Sequence, residues 1–237
     1  MCQLHGLEVW GDFACFTRPE LKVERFSYPV ITPSAARGIF DAIYAKPIEF
    51  RWQVRRIEVL APPSFIALRR NEVKNKASDS AIRRARDRSD PFLEPIYADE
   101  PAESTGRTQR QTMALKDVRY RLWAEIRAWP SFPADRASLD VQFQRRARTG
   151  KCFYQPYFGC REFPAYFSLV DENALGAPPV ALDLEIGWMV YVVFDLSTQG
   201  SSLSRPLVSL FNARLDRGVL DVPEFGSELV RKAGSPC

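Results

Sequence analysis

The stretch Tyr28-Pro-Val-Ile-Thr-Pro-Ser-Ala-Ala-Arg-Gly38 sets a hydroxyl, a guanidinium and the start of a helix within one turn of each other. Thr32 is a good N-cap, and Pro33 suits the first helical position, where no backbone donor is needed. Ser34 beside free backbone N–H groups, with Arg37 further along, has the chemistry to receive a phosphate; the same residues equally describe an ordinary capped helix. A second pattern interleaves cations with aromatics at Arg51-Trp52, at Arg119-Tyr-Arg-Leu-Trp123, and at Lys151-Cys-Phe-Tyr154-Gln-Pro-Tyr-Phe158. Positive side chains neutralise phosphates, and aromatic rings accept unstacked bases. The densest basic region holds Arg69, Arg70, Lys74, Lys76, Arg83, Arg84, Arg86 and Arg88. For these and for the strand arginines, RNA contact and plain solvation both stay open, whereas Tyr120 falls in an apolar phase and reads as core.

Most enzyme chemistries find no footing. The single histidine, His5, leaves no Ser-His-Asp or Cys-His set, and no Walker loop or dinucleotide fingerprint occurs. Five scattered cysteines without Cys-x-x-Cys spacing argue against a zinc site or a disulfide framework, so reduced cysteines in a cytoplasm are expected. Asp87, Asp90, Asp99 and Glu100 lie in a polar run and read as solvated surface rather than a metal cage. Neither a metal nor a cofactor is expected. No signal peptide or membrane-length apolar run is visible, so no membrane partner is expected. A net charge of +4 over 237 residues is mildly basic, and 46% hydrophobic residues allow a sizeable core.

The elements that must position these residues follow from periodicity. Leu4 to Trp10 reads as a strand, with Phe13 to Phe16 entering a loop. Ala36, Ile39, Phe40 and Ile43 give a helix from Thr32 that Lys46 and Pro47 stop. Phe50, Trp52 and Val54 alternate, then Ile57 and Val59 resume out of phase, predicting a long strand with a bulge. Residues 67 to 111 carry charge without apolar pattern and predict partly disordered loops with short helical turns. Val118 to Arg127 is a clear strand, Asp135 caps a helix ending near Gly150, and Tyr166 to Val170 is a short strand. Strand, helix, strand, strand, helix, strand predicts an α+β fold whose N-terminal domain, residues 1–175, is ferredoxin-like or RRM-like. Pro178-Pro179 marks a boundary. Gly187 to Leu196 and a hairpin turning at Asp216-Arg-Gly218 predict a small antiparallel β-sheet domain over residues 176–237.

The Tyr28–Gly38 stretch resembles a signature of the CRISPR-associated Cas5 family of subtype I-C systems (Dvulg type, RAMP superfamily). Gln155-Pro-Tyr-Phe-Gly-Cys-Arg161-Glu-Phe163 resembles a second signature. Further matches lie at Phe16-Thr-Arg-Pro-Glu20, Arg69-Arg-Asn-Glu72 and Leu115-Lys-Asp-Val118, in family order across most of the chain.

The resemblance implies an RRM-like domain followed by a smaller β-sheet domain. It also implies a metal-independent endoribonuclease that cuts the precursor CRISPR repeat RNA at its hairpin base. The substrate's 2′-hydroxyl would attack, leaving a 2′,3′-cyclic phosphate, and the protein would stay on the 5′ handle of the guide RNA with the other subunits of the interference complex. The family's tyrosine aligns with Tyr44 and its lysine with Lys116. Asp117 stands where relatives carry histidine, so either Asp117 orients Lys116, or Tyr44 and Lys116 carry the acid–base work alone, or cutting is slow. Expected RNA contacts are Arg37, Arg51, Arg69, Arg70, Lys74, Lys76, Arg83, Arg84, Lys151, Tyr154 and Arg161. Rival readings are a non-catalytic subunit capping the guide RNA and a general nucleic-acid binder or nuclease, with double-stranded DNA a further candidate partner.

Overall fold

A computed structural model describes residues 3–21, 23–87, 106–132, 135–171, 176–200 and 207–232. The chain is mixed α and β, with antiparallel sheets and few helices. In order the elements are β1 (Leu4–Ala14), β2 (Arg25–Phe26), α1 (Pro33–Ile43), β3 (Phe50–Val59), β4 (Phe65–Val73), α2 (Asp79–Arg86) and β5 (Arg107–Ala128). Then follow α3 (Arg136–Arg148), β6 (Tyr166–Leu169), β7 (Leu184–Val192), β8 (Ser209–Leu215), β9 (Val219–Asp221) and β10 (Val230–Lys232). Two compact units emerge, residues 1–66 with 113–237, and residues 67–112. The smaller unit carries the dense basic region.

In the larger unit the main sheet runs β6-β1-β5-β3-β9, with neighbouring strands antiparallel. The expected bulge is present: the β3–β5 register shifts between Val54 and Arg56, so Trp52 and Val54 share a face with Ile57 and Val59. That face, with Leu7, Val9, Tyr120, Leu122 and Ile126, is buried under α1 and α3. Trp52, Phe40 and Phe143 meet with ring centroids 4.7 to 5.7 Å apart, and each buried ring contributes about 1.5–3 kcal/mol.

The turn at Asp216 to Val219 is the expected tight one, with Arg217 and Gly218 both left-handed at φ 46° and 77°. Its second arm is not a partner strand for β8 as expected. β9 instead joins the main sheet, Leu220 opposite Ile57, while β8 lies between β7 and β10 in a three-stranded antiparallel sheet.

The smaller unit contains the expected short helical segment, α2, but strands where loops were expected. Residues 67–87 and 106–112 hold most of β4, all of α2 and the first part of β5. Only Gly106 and Thr112 are buried among its described residues, so hydrogen bonding and not an apolar core organises it. That absence of apolar alternation hid the strands. The acidic run from Asp90 to Glu103 lies outside the described residues.

Candidate nucleic-acid interface and cleavage site

α1 begins as its sequence dictates: Thr32 is extended, and its hydroxyl accepts the Ala35 N–H at 3.2 Å. Ala36, Ile39, Phe40 and Ile43 bury one face, which turns Arg37 and Asp41 outward. The helix ends at Tyr44, three residues before the expected stop at Pro47, where the backbone becomes extended (φ −152°, ψ 113°). The Tyr44 carbonyl accepts the Trp52 indole N–H at 2.8 Å, and its ring packs 5.3 Å from that of Phe50.

α3 returns beside it. Arg146 donates from Nε to the Ile43 carbonyl at 2.6 Å, and its guanidinium lies 4.2 Å from the Phe153 ring centroid. A cation is thereby placed on the last free carbonyls of α1, where the helix dipole favours it. Lys46 Nζ sits 2.9 Å from both Glu49 carboxylate oxygens and lies within electrostatic reach of the Tyr44 hydroxyl. Burial, outweighing Lys46, holds the Tyr44 hydroxyl above its ordinary pKa, so it is a neutral donor near pH 7. One hydroxyl with two cations in electrostatic reach is suited to grip a phosphate whose charge is increasing.

Four expected contacts gather along the same face. Arg37 stands 3.6 Å from Asp41. Arg51 donates to Gln53 Oε1 at 3.0 Å and lies 6.0 Å from the Trp129 ring centroid. Tyr154 is half-exposed and held above its ordinary pKa, first by burial and then by Asp41, with Arg37 and Arg161 opposing. Arg161 is exposed on a loop held by Cys15 N–H to the Phe158 carbonyl (3.0 Å) and Phe158 N–H to the Phe163 carbonyl (2.8 Å). That loop needs glycine at 159, where φ is 79° and a Cβ would lie 2.1 Å from the Cys15 carbonyl oxygen. Lys151 is exposed just past α3, its N–H on the Arg146 carbonyl at 2.9 Å. Ser34 and Arg37 do not share a phosphate site: Ser34 opens on a cleft with Arg18 and Gly159, Arg37 on another with Asp41 and Arg51.

In the smaller unit, Arg69, Arg70, Lys74, Lys76, Arg83 and Arg84 lie on β4, on α2 and between them. Ser78 caps α2, and Glu72 holds Arg70 (3.2 Å) and Arg110 (3.1 Å). Its described residues carry nine Lys and Arg against three Asp and Glu, a net of +6 that exceeds the +4 of the whole chain. Phosphate attraction is therefore concentrated there.

Lys116 and Asp117 are exposed, but they are not beside Tyr44. Lys116 pairs with Phe13 at one end of the β1–β5 ladder, and its N–H donates to the Ser64 carbonyl at 2.9 Å. Tyr44 packs on Phe50, which pairs with Ala128 at the other end of β5. Twelve residues separate 116 from 128, on the order of 40 Å along a strand. The expected Tyr44–Lys116 constellation is thus not one site. Asp117 lies in the left-handed region (φ 53°), between the Gly11–Val118 and Phe13–Lys116 pairs of the register.

Arg121 is also not an RNA contact. It is 3% exposed and bonds Glu58 at 2.7 Å and the Ala177 carbonyl at 3.0 Å, while Trp123 bonds the other Glu58 oxygen at 2.9 Å. His5 is buried between Trp52 and Phe143 with Nε2 2.7 Å from Asp140. Around Tyr44 and Arg51 the structure also places Lys46, Arg146, Asp41 and Trp129, which the motif resemblance did not single out. Lys46 lies just past the C-terminal end of α1 and Arg146 in the last turn of α3, and that position brings both to Tyr44.

With this geometry in hand, comparison with known proteins is specific. Residues 6–223 match the Cas5d family profile, described as a CRISPR-associated protein (Cas_Cas5), and the chain belongs to that family. It is 40% identical to the CRISPR pre-crRNA endoribonuclease Cas5d of Mannheimia succiniciproducens, covering 95% of this chain and 97% of that one. It is 38% identical to the Cas5d of the same description from Thermus thermophilus, covering 95% and 94%. A crystal structure of a CRISPR-associated protein and one of a functionally uncharacterized protein of Streptococcus mutans share the fold. Each has a TM-score of 0.63 at 18% identity, over 97% of both chains.

Proposed function

We propose that the protein is a pre-crRNA endoribonuclease that cuts the CRISPR repeat transcript and stays on the 5′ handle within a subtype I-C interference complex, in the cytoplasm. The observation that carries this reading is near-full-length identity of 40% and 38% to two proteins named for that activity. The strand order β6-β1-β5-β3, with α1 and α3 as crossovers, supports a ferredoxin-like arrangement for the N-terminal part. The β7-β8-β10 sheet then serves as the C-terminal part, over residues 176–237.

The reaction centre is assigned to Tyr44 with Lys46 and Arg146. The RNA's 2′-hydroxyl loses its proton to solvent and attacks the adjacent phosphate, the P–O5′ bond breaks to leave a 2′,3′-cyclic phosphate, and the departing 5′-oxygen takes up a proton from solvent. The two cations stabilise charge on the nonbridging oxygens, and the neutral Tyr44 hydroxyl donates a hydrogen bond to one of them. Arg37, Arg51, Lys151, Tyr154 and Arg161 hold the RNA along α1, and the basic smaller unit adds phosphate contacts. Lys116 and Asp117 are left to contact RNA at the far end of β5. A second reading, a subunit that caps guide RNA without cutting, is favoured by the burial of the only histidine against Asp140.

The test uses the full chain and its own repeat RNA in excess chelator. One sharp cut is expected, and a single 2′-deoxy nucleotide upstream of the scissile phosphate should abolish it while sparing binding. Tight binding of intact ribose RNA establishes the capping subunit instead, and rescue only by a divalent ion overturns the metal-independent scheme.

A further inference from the structure

Beside Tyr44 lies a cavity of about 240 Å³, reached through Ala45 and Pro47 of the segment that follows it. Phe50, Trp129, Phe194 and Leu196 supply its apolar walls, and Arg37, Asp41 and Arg51 its charges. That volume leaves room for a planar base.

The walls are fixed in place. The Trp129 indole N–H donates to the Pro47 carbonyl at 2.9 Å and its backbone N–H to Glu49 at 3.0 Å, which sets the ring plane. The segment carrying Asp195 to Gly200 is clamped to the same loop, Gly200 N–H on the Pro47 carbonyl at 3.2 Å. Asp195 is itself occupied by Ser197 and Thr198.

Asp41 is different. Its nearest cation is Arg37 at 3.6 Å, too far for a good hydrogen bond, and no described residue donates one to it. Burial holds its carboxyl above the ordinary range, so a site that offered it N–H donors would relieve an existing cost. Arg51, desolvated and committed through one nitrogen to Gln53, has further N–H groups to offer.

We infer that this cavity is a nucleobase pocket that takes one guanine of the RNA, unstacked from its neighbours, against Trp129. The chemistry selects the base. Guanine presents paired acceptors, O6 and N7, to a guanidinium, and paired donors, N1–H and N2–H₂, to a carboxylate. Adenine, cytosine and uracil lack one or other of those pairs. A flipped base held between an aromatic wall and polar edge contacts is the usual way to read a single nucleotide beside a reacting phosphate. This inference rests on the proposed RNA substrate and adds which nucleotide chemistry the site demands.

The experiment measures equilibrium binding of the intact chain to its own repeat RNA. The RNA carries a 2′-deoxy nucleotide at the cut, so cleavage does not enter. Each guanosine is replaced in turn by inosine, which lacks N2–H₂, and by 7-deazaguanosine, which lacks N7. The expected result is one guanosine, next to the scissile phosphate, where either replacement weakens binding between about 5- and 150-fold. In Asp41→Asn the inosine penalty at that position should vanish, and in Arg51→Ala the 7-deaza penalty should. If no position discriminates, or if the penalties survive in both variants, the pocket is not a guanine site. Cleavage of unmodified RNA, assayed separately, decides the endoribonuclease reading independently of either result.

Discussion

Moving the reaction centre from a Tyr44–Lys116 pair to Tyr44 with Lys46 and Arg146 makes a quantitative prediction. Lys116 lies on the order of 40 Å along β5 from the strand end that carries Tyr44. At that distance in water a unit charge changes a rate by a factor of about 1.2, and screening with a Debye length near 8 Å removes even that. Arg146 is different, because it packs on the carbonyl that precedes Tyr44. A cation about 5 Å from a growing phosphorane charge, at an effective dielectric near 20, stabilises it by about 3 kcal/mol, on the order of 10²-fold in rate. The assay is single-turnover cleavage of repeat RNA at saturating protein, which separates chemistry from affinity. Arg146→Ala and Tyr44→Phe should each lose about 10²-fold in rate, with the folded fraction checked by circular dichroism. Lys116→Ala should act on affinity, its rate at saturation staying within about threefold of the wild type. A loss of 10²-fold in that rate for Lys116→Ala, with Arg146→Ala near normal, refutes the reassignment.

Two further outcomes follow from groups buried under the same sheet. Arg121→Ala strands Glu58 without its partner and should cost about 3–5 kcal/mol, or about 6–20 °C in melting temperature; converting Arg121 and Glu58 together to Met and Leu should recover most of it. Burial raises the pKa of Tyr28, Tyr44, Tyr120, Tyr154 and Tyr191, so the folded state holds these protons more tightly than the unfolded chain. Their contribution is complete below the ordinary value of 10.0 and is lost as pH rises toward the folded values, so urea midpoints should fall above about pH 10.

Where apolar periodicity is strong, the fold was legible. The Thr32 cap, the β3 bulge and the left-handed turn at Gly218 are local decisions, and local sequence determines them. The misses share a cause. β4 and the first part of β5 have no buried face of their own among the described residues, so they carry charge where a strand pattern would show apolar alternation. β9 is three residues long, and whether it pairs with β8 or β3 depends on contacts across more than 150 residues of sequence. Nothing local encodes that choice.

The candidate site shows the same division. Arg37, Arg51, Tyr154 and Arg161 could be named from cation–aromatic interleaving and motif resemblance, since that chemistry is carried by residue type. Placing Lys116 beside Tyr44 required a distance, and residue type gives none. The information was nevertheless partly present: Lys46 follows Tyr44 directly, and Arg145, Arg146 and Arg148 crowd the end of α3. In this strand-helix-strand-strand-helix-strand order β1 and β5 are antiparallel, so the helices that follow them run in opposite senses, and the meeting of Arg146 with the Ile43 carbonyl depends on how the helices cross rather than on the order of elements. Topology does separate Lys116 from Tyr44, because β5 begins at the end of the sheet opposite the one where α1 finishes and β3 starts.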